Sequence, residues 1–183
     1  DAKAISDRFS ALFSTHAAET QAEQTDIKNR YGKSVIRHLA THNVLGPRSI
    51  LAHCVHVDAT EIQMIADSGT IIAHNPMSNL KLGSGIAPVS EMIDARINVT
   101  LGTDGAISGN DLDMWLTMRL AASLPKGTMM RADVVTAKQV LHMATLNGAE
   151  ALGQGKNLGS LEPLIMSSFE TLTDFCLGPN MEN

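Results

Sequence analysis

The sequence predicts a parallel α/β fold, on three observations. Four short apolar runs, at Ala11–His16, Ser49–His53, Thr70–His74 and Ile97–Gly102, have the length and β-branched content of buried strands. Segments with helical spacing separate them, and the connections are short, as a parallel sheet requires when each strand returns through a crossover helix. Each run stops at a polar residue able to do chemistry: His16, His53, His74 and, just past Gly102, Asp104.

Taken in order, residues 1–10 have helical spacing and read as the middle of a helix, so a chain cut from something longer is expected. The first strand ends at His16, and Thr20 to Lys33 reads as loop and helix. Ser34 to His42 carries an apolar stripe at Val35, Ile36 and Leu39, the pattern of a helix packed on a sheet, and Gly46-Pro47 ends it. After the second strand, Asp58 is a helix cap for a segment with Ile62, Ile65 and Ala66 inward, closed by Gly69. The third strand turns at Asn75-Pro76 into a small-residue loop, Ser78 to Pro88, before a helix through Val89, Met92 and Ile93. Beyond Asp104 the spacing predicts a loop, Gly105 to Asn110, then a helix Leu112–Leu124 broken at Pro125 to Thr128. A Thr136-capped helix, Ala137–Leu146, follows, and a short helix from Asn147 ends at Gly153. Residues 1–153 form one unit, and 154–183 read as a divergent tail with an edge strand at Ile165–Phe169.

With 183 residues, 44% hydrophobic and 18% charged, the chain suits one globular unit with a sizeable core. A net charge of −5 with scattered Lys and Arg argues against a nucleic-acid partner. No apolar run is long enough to span a membrane. Cys54 and Cys176, far apart and without CxxC spacing, suggest a reducing cytoplasm.

A lone histidine at a strand end is ordinarily a hydrogen-bonded core residue. Four polar strand ends are different, because the carboxyl ends of parallel strands open on one mouth. Imidazole and carboxylate there are the ligands of a catalytic zinc or iron. Glu19, three residues past His16, is either a proton-transfer acid or a first-turn helix residue favoured by the dipole, and spacing does not separate the two. The Gly83-Ser84-Gly85 stretch lacks a third glycine and an acidic ribose partner, so it reads as a wall over the cavity and not a nucleotide cradle. His38 and His42 share a helix face that should lie outside. Cys54 should point away from the mouth by strand alternation.

Four ordered stretches carry a resemblance: His16-Ala-Ala-Glu-Thr20, Leu51-Ala-His-Cys-Val-His-Val-Asp58, Ala73-His-Asn-Pro-Met-Ser-Asn-Leu-Lys-Leu-Gly-Ser-Gly-Ile-Ala-Pro88 and Leu101-Gly-Thr-Asp-Gly-Ala106. Over residues 10–163 the chain resembles the amidohydrolase superfamily, in its deaminase and chlorohydrolase branch, and above all the 5-methylthioadenosine/S-adenosylhomocysteine deaminases. The resemblance implies the C-terminal half, strands five to eight, of a metal-dependent (β/α)8 TIM barrel. It implies His16 and Asp104 as metal ligands, with zinc the expected ion and iron the alternative. It further implies Glu19 as the proton-transfer acid, His53 as the residue that helps activate water, Asp104 as proton acceptor, and His74 and Asn79 at the substrate. The implied partner is a small heterocyclic substrate, with self-association expected from unpaired sheet edges.

The departures bear on activity. The family's two histidines one residue apart on the first strand are absent, so two of the implied metal ligands lie outside these residues. Gly109 stands where asparagine is usual and Ile107 where a small residue is usual, and the segment after Glu162-Pro163 departs from the family's path into a small β-sandwich. Other readings are a chlorotriazine, guanine or cytosine hydrolase on the same scaffold, an inactive half-barrel, and a metal-free doubly wound nucleotide-binding domain.

Overall fold

The computed structural model describes residues 2–161. Its framework is four strands, β1 (Phe13–Ala17), β2 (Ser49–His53), β3 (Ile71–His74) and β4 (Val99–Leu101). They form one parallel sheet in the order β1-β2-β3-β4, so every crossover lands on the neighbouring strand. In the register, Leu51 lies beside Ile72 and Ile72 beside Val99, an apolar row across the sheet. All three are buried against the helices, with Ile36, Ile65, Met92, Ala121 and Met143 from the helical layer. The opposite face carries Ser14 and His16, both exposed. Among the described residues neither β1 nor β4 has a strand on its outer edge.

The helices follow from local chemistry. α1 (Ala2–Arg8) precedes β1, and α2 (Gln21–Tyr31) and α3 (Val35–Thr41) make the first crossover. α4 (Ala59–Ser68) opens with a complete capping box. The Asp58 carboxylate accepts from the Glu61 N–H at 2.9 Å, and the Glu61 carboxylate accepts from the Asp58 N–H at 2.9 Å, which satisfies two otherwise orphaned donors. Arg37 binds both carboxylates, at 2.8 Å to Asp58 and 3.2 Å to Glu61, and so ties α3 to the start of α4. The Ser34 hydroxyl also donates to Glu61, which is buried. α6 (Val89–Asp94), α9 (Ala137–Ala144) and α10 (Leu146–Ala151) agree with the spacing, and Thr136 makes a second capping box with Gln139.

Three segments differ from expectation. The Asn75-Pro76 turn starts a helix, α5 (Pro76–Lys81), where a loop was expected; proline is well suited to the first helical position, where its missing N–H has no partner to lose. Gly83, left-handed at φ 69°, ends it. The loop after Asp104 contains a single helical turn, α7 (Ala106–Gly109). α8 (Met114–Met129) continues through Pro125. There a buried stripe of Thr117, Ala121 and Pro125 offsets the roughly 3 kcal/mol that an interior proline costs a helix. The Thr128 hydroxyl then donates to the Leu124 and Pro125 carbonyls. Among the described residues no helix is long and apolar enough to cross a membrane. The expected edge strand at Ile165–Phe169, and Cys176, lie outside the described residues.

Asp58→Ala should lower stability by about 1 kcal/mol through loss of the cap, whereas Asp58→Asn should retain most of it; urea unfolding midpoints of the two variants decide.

Candidate active site

All four strands run the same way, so their carboxyl ends share one edge of the sheet, and the candidate residues gather there. β1 delivers His16 and then Glu19, β2 His53, β3 His74, and the segment after β4 Asp104. Register alone does not bring His16 and His53 together. His16 pairs with Ala52 and Ala17 with His53, so alternation puts the two imidazoles on opposite faces. His53 and Cys54 instead adopt left-handed backbone, φ 73° and 46°, which re-aims the His53 ring. It stacks on His16 with centroids 5.2 Å apart and planes 18° from parallel. Asp104 (φ 60°) and Ala18 (φ 51°) are left-handed as well. Such conformations cost non-glycine residues roughly 1 kcal/mol or more each, so strain is concentrated at the strand ends.

The β3–α6 segment holds these residues in place. Ser78 donates its hydroxyl to Asp104 Oδ2 at 2.7 Å, and the Gly105 N–H donates to Oδ1 at 2.8 Å. Asn79 Oδ1 lies 2.8 Å from His53 Nδ1. The Ser84 hydroxyl donates to Glu19 Oε1 at 3.3 Å, and the Ser84 carbonyl lies 2.8 Å from His56 Nε2. Glu19 Oε2 stands 3.8 Å from His53 Nε2. Gly102 permits the close approach of this corner to β4, since a Cβ there would sit 2.4 Å from Asn75 Oδ1.

Burial and charge distinguish the groups. Burial raises the Asp104 pKa, but the Ser78 hydroxyl, the Gly105 N–H and the nearby His53 and His16 outweigh it and hold the carboxyl below its ordinary value. Burial, helped by His53, lowers the His74 imidazole to about 4, so it is neutral at pH near 7. Burial pushes the Cys54 thiol up, and the Glu23 and Glu61 carboxylates add to the effect, so this cysteine is no nucleophile at neutral pH. His38 stacks on Tyr31 and meets His42 edge to face, away from the mouth.

His53 Nε2, His74 Nδ1 and Asn79 Nδ2 are buried without hydrogen-bond partners. Buried polar atoms of that kind belong where a ligand or water completes the site. The donor types, imidazole and carboxylate, suit a divalent metal, with His16 and Asp104 as the residues to hold it. The number is short: among the described residues no three His, Cys, Asp or Glu side chains are close enough to bind an ion alone. Motif and spacing placed Ser84 only in a wall over the cavity and gave Ser78 no role. The available signal was proline at the first position of α5 and glycine past its end, which would have placed Ser78 and Asn79 on one rigid turn.

The amidohydrolase family model matches residues 2–163. The chain belongs to the amidohydrolase family. It is 47% identical over 160 residues to a 5-methylthioadenosine/S-adenosylhomocysteine deaminase of Syntrophomonas wolfei, a match covering 87% of this chain and 37% of that protein. The chain therefore spans little more than a third of the length of the curated relatives it matches. Among solved structures it resembles a zinc-bound adenosine deaminase of Xanthomonas campestris, with TM-score 0.84 and 36% identity over 87% of this chain and 36% of that one. It also resembles a zinc-complexed atrazine chlorohydrolase of Arthrobacter aurescens, with TM-score 0.77 and 32% identity over 87% and 35% of the two chains. Membership in this amidohydrolase family, with its deaminase and chlorohydrolase relatives, agrees with the resemblance seen in the motifs.

The His74 shift has a thermodynamic consequence. Its folded-state pKa lies below the unfolded value, so below about pH 6.5 the unfolded chain takes up a proton that the folded chain refuses. Stability should be undiminished by His74 above that pH and fall as pH drops toward about 4. With chelator present, His74→Gln should lose roughly 2 kcal/mol less stability than the parent between about pH 7 and about pH 4.5, by urea titration at both values.

Proposed function

We infer that the chain is the C-terminal half, strands five to eight, of a (β/α)8 barrel in a hydrolytic deaminase of adenosine-type nucleosides. Two open sheet edges support the barrel reading. So do the exposed apolar side chains in the segments flanking the sheet, Ile5, Phe9 and Leu12 before β1 and Ile107, Leu112 and Trp115 after β4. Strands outside these residues cover both edges and bring the remaining metal ligands. The activity reading is supported chiefly by the convergence of His16, Glu19, His53 and Asp104 from three strands, in a chain whose relatives include a deaminase of methylthioadenosine and adenosylhomocysteine.

When bound, a divalent metal, zinc in the similar adenosine deaminase and chlorohydrolase structures, supplies Lewis acidity that lowers the pKa of the attacking water. Asp104, ionised at neutral pH, takes the proton of that water. Glu19, steadied by Ser84, carries a proton to the ring nitrogen beside the amino-bearing carbon. Addition of water at that carbon and departure of the amino group as ammonia complete the exchange of C–NH2 for a carbonyl. His53, against Glu19 and His16, serves the oxygen that adds, and His74, neutral and buried, lines the substrate side. A small heterocycle fits this chemistry in a cytoplasmic enzyme, with no nucleic-acid or membrane partner, and with a second copy of the complete protein as partner in a homo-oligomer.

The full-length protein should release ammonia from methylthioadenosine or adenosylhomocysteine, lose that activity to a strong chelator and regain it with zinc. Glu19→Gln and Asp104→Asn should each lower kcat at least about 100-fold. The isolated 183 residues should be inactive. Ammonia release from neither nucleoside, or full activity in both variants, rejects the assignment.

A further inference from the structure

We propose that Asn79 is a positioning residue that holds His53 as the Nδ1–H tautomer, which leaves Nε2 as a hydrogen-bond acceptor facing the reaction. The motif resemblance implied a different role for Asn79, a contact to substrate. Both residues are almost wholly buried, at 1% exposure each. With the Asn79 amide oriented so that Oδ1 faces His53 Nδ1 at 2.8 Å, the oxygen can only accept, and this orientation places the proton on Nδ1. No group accepts a hydrogen bond from Nε2, although the Glu19 carboxylate stands near it and Asp104 feels the charge of His53. Glu19 Oε2, at 3.8 Å, is beyond hydrogen-bond reach, the His16 ring lies against the face of His53, and Nε2 itself has no partner.

The tautomer decides the order of events at His53. A neutral imidazole with its proton on Nδ1 cannot donate from Nε2 to a developing oxyanion. After Asp104 has taken the first proton of the water, Nε2 accepts the second, from the hydroxyl that has added, and the resulting imidazolium donates a hydrogen bond to that oxygen. The proton returned from Nε2 is then available for the departing amine, so His53 ends the cycle neutral. Asn79 can impose this because it stands on α5, which Pro76 starts and Gly83 ends, beside Ser78 and its bond to Asp104. One helical turn thereby sets the orientation of two strand-end residues on either side of β3.

This inference deepens the deaminase reading, and its decisive measurement does not depend on it. Long-range proton–nitrogen correlation spectra of the imidazoles in the full-length, metal-free protein, at about pH 8 where histidine is neutral, should show His53 protonated at Nδ1 and bare at Nε2. Asn79→Leu, close in shape and without an acceptor, should lose that preference; Asn79→Asp should keep it. In the zinc-loaded enzyme, Asn79→Leu should lower kcat about ten- to hundred-fold with KM within about two-fold, and Asn79→Asp should restore most of kcat. A proton on Nε2 in the parent protein, or an unchanged tautomer in Asn79→Leu, overturns the proposal. A raised KM with kcat intact in Asn79→Leu also overturns it and assigns Asn79 to substrate. If Asn79→Leu does not fold, the spectrum of the parent protein decides alone. A failed ammonia assay with the Nδ1–H tautomer present rejects the deaminase reading and leaves the tautomer assignment standing.

Discussion

Three side-chain bonds from one short stretch, Ser78 to Asp104, Asn79 to His53 and Ser84 to Glu19, hold together residues that belong to three different strands. The rest of the candidate site depends on them. Each of the three targets is a polar group in a partly or wholly buried place, where losing its partner would cost about 1–3 kcal/mol. A stretch that supplies all three at once couples the strand ends, so displacement of residues 78–84 would disturb Glu19, His53 and Asp104 together.

That bracket works because the sheet is parallel and sequentially ordered. β3 lies between β2 and β4, so the segment leaving β3 emerges midway between His53 and Asp104 and reaches both sides with adjacent residues. Gly102 makes the approach possible, since any side chain there would collide with Asn75. Beneath the mouth, the row of Leu51, Ile72 and Val99 buries the opposite face against helices, and this apolar packing supports the backbone strain at His53, Cys54 and Asp104. Stability and chemistry thus occupy opposite ends of the same strands.

Among the described residues β1 and β4 have open outer edges, and no three His, Cys, Asp or Glu side chains come close enough to hold an ion. A mouth formed by strand ends is only as complete as the ring of strands around it. His16 and Asp104 sit at the two ends of this sheet. His16 and His53 stack on each other, and both help to lower the Asp104 pKa.

By itself the sequence determined the four strand–helix units, the Asp58 and Thr136 caps and the polar residue at each strand end. These rest on local causes: apolar periodicity, side-chain capping and the punctuation of glycine and proline. Only tertiary structure decided how the ends meet. Alternation along the strands puts His16 and His53 on opposite faces, and a left-handed turn at a histidine, a residue type that does not announce such a conformation, reverses it. Pro125 reads as a break and lies inside α8 because burial of its helix face outweighs one lost hydrogen bond. Ser78 and Ser84 look like ordinary loop serines until the fold brings Asp104 and Glu19 to them from residues 26 and 65 positions away. Contacts at such separations are made by packing, and no local pattern encodes them.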